Sequence, residues 1–294
     1  MTAIDRKRRT FVLAGSAAFG CAAFAPLARA AEPFAPTFTV SNPQGDVPVY
    51  AYLPAAASAA PIWVVMHGLK RNAADYYAAW LPYAQKRGAI LLAPQFSAAQ
   101  WPKSWCYQLG NVMTQAGEPV PRERWGFTAV DHAVEEAARR AKLADAKFAI
   151  YGHGGGAQFV QRYVLHTGGA RLALGIAANA GWYLVPTDGF PFPYGLRDSG
   201  IPEATLREAF AATHVVMTGL KDIRTDGVMR SNAQTALQGP TRVARAHFYF
   251  DEAKEAAERL GMPFKWRLVE VPEGGHAEGT MMPAATAMMM RARG

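Results

Sequence analysis

The feature of this sequence that most restricts its fold is a glycine cluster between an apolar segment and a helical one. Residues 147–150 form a short apolar run that predicts a strand, and residues 157–164 have helical spacing. Between them lies Tyr151-Gly152-His153-Gly154-Gly155-Gly156. The sequence therefore predicts a strand, a tight turn and a helix in succession.

This turn matches the nucleophile elbow of serine hydrolases, G-x-S-x-G, at every position except the central one. Gly152 and Gly156 are the outer glycines, and Gly154 stands where a serine would carry the attacking oxygen. Because glycine has no side chain, residue 154 supplies neither a nucleophile nor a proton. The pattern thus indicates the backbone of this enzyme class without its reacting group.

Apolar runs alternate with helical patterns along the rest of the chain. This alternation predicts an α/β fold, a mostly parallel central sheet with helices on both faces, in one domain from 31 to 294 with no internal repeat. Residues 95–125 lack a clear period, and so long an irregular segment is expected to lie over the functional site. Further strands are predicted at 37–40, 47–53, 62–66, 89–94, 172–178, 214–218 and 265–271. Further helices are predicted at 73–87, 127–142, 203–212, 241–260 and 277–293, and the first of these is expected to have Asn72 as its N-cap and Gly88 as its stop.

Residues 1–30 have the composition of an export signal. Arg6-Lys7-Arg8-Arg9 precedes an uncharged run, and Ala28-Arg29-Ala30 fits a cleavage site. The arginine pair before a mildly apolar segment favours the twin-arginine route, with general secretion as the alternative. We therefore expect contact with the export machinery and a periplasmic or secreted protein. Lipid attachment at Cys21 is a weaker alternative.

Removal of this segment changes what charge and cysteine content imply. The first 30 residues hold five of the 31 Lys and Arg and one of the 23 Asp and Glu, which leaves 26 basic and 22 acidic residues. A net charge of +4 does not indicate a surface that binds nucleic acid. Cys106 remains as the single cysteine, so no intrachain disulfide is expected. No run of 18 apolar residues remains, so no membrane span is expected either.

A serine-hydrolase site needs a nucleophilic oxygen, a histidine that takes its proton, a carboxylate that holds the histidine, and donors for the oxyanion. All of these except the nucleophile have candidates in the sequence. His276 follows the last predicted strand through a glycine turn, and Asp222 follows the strand before it, in the chain order that the class requires. Asp226 competes with Asp222 for the role of the acid. The backbone N–H groups of Leu69 and Gly155 are the expected oxyanion donors.

Other side chains offer weaker alternatives. Ser104 and Cys106 lie in the irregular segment and are the candidates for a different nucleophile. His67 and His153 flank glycines in the predicted site loops, but their motif positions explain them without a metal, and no cofactor is expected. Trp105, Trp182 and Tyr183 are candidates for an apolar substrate wall, although packing of the loops explains them nearly as well.

The sequence contains five motifs, at 66–69 with Arg71-Asn72, 107–112, 151–159, 181–183 and 274–276. Together they resemble the α/β-hydrolases of the poly(3-hydroxyalkanoate) depolymerase and feruloyl-esterase-like group. The resemblance implies that a small or polymeric carboxylic ester is the substrate and that His276 and Asp222 complete a triad. Residue 154 departs from the family pattern, so three interpretations stay open: a binding protein, an enzyme with another nucleophile, or an inactivated hydrolase.

Overall fold

A central sheet of eight strands organises the part of the chain that the computed structural model describes, residues 36–144, 146–225 and 229–292. Its strand order is β1-β2-β4-β3-β5-β6-β7-β8; β1 and β2 run antiparallel to their neighbours, and the rest are parallel. The predicted α/β class is thereby confirmed. The strands are β1 Phe38–Val40, β2 Val47–Tyr52, β3 Ile62–Met66, β4 Ile90–Pro94, β5 Phe148–His153, β6 Leu172–Ala178, β7 His214–Gly219 and β8 Arg267–Val271.

Helices cover both faces of this sheet. The buried residues form two apolar clusters: one contains Phe127, Phe159 and Tyr249 from helices on one face, and the other contains Trp80 and Met281 from the opposite face. Of the helices in the described residues, none is long and apolar enough to cross a membrane. The helices are α1 Ala73–Arg87, α2 Lys103–Cys106, α3 Gly126–Ala141, α4 Gly155–Thr167, α5 Glu203–Ala211, α6 Ala233–Gln238, α7 Arg242–Arg259 and α8 Glu278–Met289, with a 3₁₀ turn at Arg122–Arg124.

Strand β3 shows why the apolar pattern identifies a strand buried on both faces. Ile62, Val64 and Met66 belong to one apolar cluster, and Trp63 and Val65 belong to the other. Successive side chains point to opposite faces of a sheet, so a strand covered by helices on both sides needs an apolar residue at each position.

Helix α1 begins and ends where the sequence predicts, but its first turn is held differently. Gly88 ends the helix in the left-handed conformation, with φ of 66°. Asn72 precedes the helix but makes no capping bond to its backbone; its side chain donates to Asp75 instead. The Gln95 side chain accepts the N–H of Ala73, which explains why the cap is dispensable.

The glycine cluster brings the start of α4 against the end of β3. A Cβ at Gly156 would lie 2.3 Å from the carbonyl oxygen of Met66, and a Cβ at Gly152 would lie 2.3 Å from the backbone of Gly156. No side chain fits at either position. The carboxyl ends of β3 and β5 therefore meet at one edge of the sheet, where parallel sheets carry their sites.

The export signal predicted at residues 1–30 lies outside the described residues and stays a prediction.

Candidate active site

Gly154 occupies the sharp turn between β5 and α4. Its φ of 55° and ψ of −106° fall in a region that residues with side chains rarely adopt. Its N–H donates to the carbonyl of Ala178, and its own carbonyl accepts from the N–H of Gln158. A Cβ built on Gly154 would have Cε1 of His276 at 3.8 Å as its near neighbour. The turn therefore has room for a side chain directed toward His276.

The structure brings His276 and Asp222 together. Nδ1 of His276 lies 2.9 Å from Oδ2 of Asp222, and because a carboxylate only accepts, the ring donates from Nδ1. This leaves Nε2 as the acceptor. The other carboxylate oxygen accepts from Nη1 of Arg242 at 3.1 Å, and both of these side chains are buried. Asp222 is thus oriented from two sides, while Asp226 lies outside the described residues.

Asn179 ties the loop of Asp222 to the loop of His276. Its Oδ1 accepts from the N–H of Gly219 at 2.8 Å, and its Nδ2 donates to the carbonyl of Gly275 at 2.8 Å. The side chain is buried, and its φ is 52°. Sequence reasoning missed this residue, although an asparagine directly after β6 at the functional edge of the sheet is the available signal.

The backbones that carry the two expected oxyanion donors are adjacent. A Cβ at Gly155 would lie 3.1 Å from the backbone nitrogen of Leu69. Leu69 lies two residues after His67, and the carbonyl of His67 accepts from the hydroxyl of Tyr107 at 2.6 Å. Arg71, with φ of 56°, donates to three carbonyls of the irregular segment. These bonds fix the loop that presents the N–H of Leu69 next to Gly155.

His67 is a structural residue of this loop. Burial lowers its pKa to about 3, so the ring is neutral at physiological pH. Its Nε2 accepts from the N–H of Phe96 at 3.1 Å, which leaves Nδ1 to donate to the carbonyl of Gly68 at 3.0 Å. The ring also stacks on Tyr107.

His153 lies beside His276 without sharing its role. The ring centroids are 5.3 Å apart, and burial, followed by the neighbouring His276, lowers the pKa of His153 to about 3. A ring that stays neutral does not take up a proton at physiological pH. In residues 36–144, 146–225 and 229–292, no group of three or more His, Cys, Asp or Glu side chains has the arrangement of a metal site.

A cavity of about 1010 Å³ opens at Gly154 and His276. Trp182, a predicted substrate contact, belongs to its wall. Tyr183 does not: it is buried behind, with its backbone bonded to the Gln238 side chain and its ring stacked on Tyr249. The wall also contains Gly68, Leu69, Lys70, Asn72, Tyr76, Ser104, Gln108, His153, Gly155, Gln158, Gly181, Thr225, Met229, Arg230, Ser231, Arg242, Ala277 and Glu278.

Trp105 and Cys106 line a separate pocket of about 270 Å³. The thiol of Cys106 is half-buried, and burial raises its pKa. A thiol that stays protonated is a poor nucleophile. Because this pocket is separate from the cavity at His276, neither Trp105 nor Cys106 lies against that histidine.

Glu278 is a cavity residue that the sequence did not reveal. Its Oε1 accepts from Nε1 of Trp80 at 3.1 Å, and Tyr76 bonds to the same carboxyl group. Burial, with a smaller contribution from Asp75, raises the pKa of Glu278 to about 7. The carboxyl group therefore changes charge near neutral pH. Its only sequence signal is its position two residues after His276.

Comparison with solved structures identifies similar chains. Poly(aspartic acid) hydrolase-1 from Sphingomonas sp. KT-1 is 31% identical with a TM-score of 0.83, and the match covers 88% of this chain and 99% of that one. LpqC, a poly(3-hydroxybutyrate) depolymerase from Bordetella parapertussis, is 33% identical with a TM-score of 0.77, covering 83% of each chain.

S-formylglutathione hydrolase from Staphylococcus aureus shares the fold at 13% identity and a TM-score of 0.51, over 86% of this chain and 97% of that one. No protein-family model and no curated protein sequence matches the chain. With two relatives above 30% identity over most of their length, the chain belongs to the α/β-hydrolase family of poly(aspartic acid) hydrolase-1 and the depolymerase LpqC.

Proposed function

We propose that this protein is an exported member of the family, built to bind carboxylic esters, in which Gly154 replaces the nucleophilic serine. Asp222 and His276 are the acid and base of the triad, and the N–H groups of Leu69 and Gly155 form the oxyanion hole. Serine-type hydrolysis is then absent or very slow. The substrate would be a small carboxylic ester or a polymer, and both relatives are named for polymers.

The direction of the missing side chain at Gly154 carries this proposal. A Cβ on Gly154 would lie 3.8 Å from Cε1 of His276, and Nδ1 of this ring is bonded to buried Asp222. In a serine hydrolase, the histidine takes a proton from the serine at this place and the aspartate holds the ring. The acid, the base and the space for the nucleophile are arranged together, and the hydroxyl alone is missing.

The two serines of the cavity wall do not replace it. Ser104 accepts a hydrogen bond from Arg230, and neither it nor Ser231 makes a hydrogen bond to His276 in the described structure. A nucleophile must lie within hydrogen-bond reach of its base. A water activated by His276 remains as a slow route. Loss of a triad nucleophile lowers turnover by about a millionfold.

The proposal is tested by hydrolysis of 4-nitrophenyl butyrate by the chain and by its Gly154→Ser variant. We expect background rates from the chain and saturable hydrolysis from the variant, because only the hydroxyl has to be supplied. Gly154→Ala is the matched control, since it introduces the same backbone strain without a nucleophile. A folded Gly154→Ser protein no faster than Gly154→Ala would overturn the proposal.

A non-catalytic binding role is the second candidate. The cavity of about 1010 Å³ is of the size that holds a small molecule, and Trp182 is held in its wall by Arg162 and Arg230. A ligand stabilises the protein to which it binds, so thermal shifts with hydroxyacid oligomers, aryl esters and their acids test this role. Stabilisation of the unmodified chain, with no activity in Gly154→Ser, would favour binding over hydrolysis.

A further inference from the structure

We propose that the cavity recognises an anionic ligand, an acyl chain with a free carboxylate, and that Arg230 binds that carboxylate, with the buried side chains of Trp182 and Arg162 stacked behind it. This inference rests on the proposed function, because it names the substrate class of the same cavity. Its test measures equilibrium binding, which does not depend on the chemistry at Gly154.

Arg230 presents a charge that neutral partners hold in place. Its Nη1 donates to the hydroxyl of Tyr194 at 3.1 Å, and its Nη2 donates to Oγ of Ser104 at 3.2 Å. The guanidinium lies 4.6 Å from the ring centroid of Trp182. Among the described residues, no carboxylate forms an ion pair with Arg230. The planar fork is therefore positioned in the cavity wall and suits a bidentate carboxylate.

Arg162 adds a second positive charge directly behind the same indole. Its Cζ lies 4.1 Å from the Trp182 ring centroid, and the side chain is fully buried. Nη1 donates to the carbonyl of Gln158, whereas Nε and Nη2 have no partner in the described part of the protein. Burial lowers the pKa of Arg162 to about 9, so the group is still charged at neutral pH.

A buried arginine with two unpartnered nitrogens is costly for stability. If Trp182 only needed a packing partner, an unbranched apolar side chain would serve without this cost. The charge is explained if it raises the positive potential of the cavity wall beside Arg230. A low-dielectric wall concentrates such a field in the cleft.

The charges that line the cavity leave a positive balance. Lys70, Arg230 and Arg242 line it, and Glu278 is the one carboxyl group among the lining residues that the structure describes. Arg242 is neutralised by Asp222. Lys70 and Arg230 then remain against Glu278, with Arg162 behind the wall, and the balance favours an anion.

The test compares two probes that differ by one charge, a linear trimer of 3-hydroxybutyrate with a free carboxylate and its methyl ester. Calorimetry on the unmodified chain should show the acid binding about tenfold tighter, because a charge-assisted hydrogen bond contributes about 1.5 kcal/mol or more. This preference should shrink between about 0.01 and 0.3 M salt. Acid and ester binding within twofold of each other, or no binding of the acid, would overturn the inference.

Three variants locate the subsite. Arg230→Gln should remove the preference by weakening the acid alone, and Arg230→Lys should retain part of it. Arg267→Gln removes a positive charge at the amino end of β8, away from the cavity edge, and should leave both affinities unchanged. Equal weakening of acid and ester in Arg230→Gln would contradict a charge-specific contact.

Arg162→Met separates a functional charge from a structural one. We expect its melting temperature to stay level or rise while the preference for the acid falls. A large loss of stability with an unchanged preference would show that Arg162 serves packing, and it would overturn that part of the inference. Activity of Gly154→Ser toward a neutral ester would still support the proposed function in that case.

Discussion

Asp222→Asn offers a demanding test of the electrostatics at the site. The carboxylate is fully buried, Arg242 is 4% exposed, and their closest atoms are 3.1 Å apart. Asparagine keeps the shape and removes the charge, which leaves the guanidinium of Arg242 buried and uncompensated. Breaking a buried pair from one side costs roughly 3 to 5 kcal/mol. For a domain of this size the melting temperature should fall by about 6 to 20 °C.

The structure contains a matched control for this change. His247 and Glu270 form another histidine–carboxylate pair, also at 2.9 Å, but their side chains are 42% and 45% exposed. Solvent screens such a pair, so Glu270→Gln should cost less than about 1 kcal/mol. Differential scanning calorimetry of both variants makes the comparison. Similar shifts in the two variants would refute the account of Asp222 as a buried, charge-paired residue.

A double mutant refines this result. Adding Arg242→Met to Asp222→Asn removes the stranded charge, so the pair of changes should cost less than the sum of the single ones. Additive costs would mean that the two side chains do not act as a unit.

Three further predictions concern other parts of the chain. Burial raises the pKa of Glu278 to about 7 from an ordinary value of 4.5, so the folded protein holds this proton more tightly, and the stability should fall as the pH rises from about 4.5 to 7. Urea unfolding should show a loss of up to about 3 kcal/mol across this window relative to Glu278→Gln, and parallel curves would refute it. Burial raises the pKa of Cys106, so iodoacetamide should label its thiol slowly at pH 7.5. Rapid labelling would instead support Cys106 as a nucleophile. Mass spectrometry of the exported protein should find a mature chain that begins at Ala31, and replacement of Arg8-Arg9 by two lysines should block export if the twin-arginine route is used.

The sequence predicts the sheet well because local patterns determine it. Apolar runs give β3 at 62–66 and β6 at 172–178 with the observed limits, and Gly88 ends α1 as expected. Helix α6 was not predicted, because a segment of six residues without an apolar period gives little indication of a helix. It begins at the capping box of Asn232 and Thr235, which is the signal that was available.

The site is less predictable where its residues act through distant partners. The loop and chain order point to His276 and Asp222, but Arg242 and Arg162 look like ordinary charged residues on helices. Their burial against Asp222 and Trp182 depends on packing between distant segments. Tyr183 was expected in the substrate wall because the segment 179–199 after β6 is rich in aromatics, yet composition does not tell which ring faces the cavity.

Labelling by a fluorophosphonate probe, with the modified residue located by mass spectrometry, tests the central claim most directly. We predict no adduct on the unmodified chain, and an adduct at residue 154 in Gly154→Ser that disappears when His276→Ala is added. An adduct on the unmodified chain at any hydroxyl or thiol would contradict the claim that Gly154 alone deprives this site of its nucleophile.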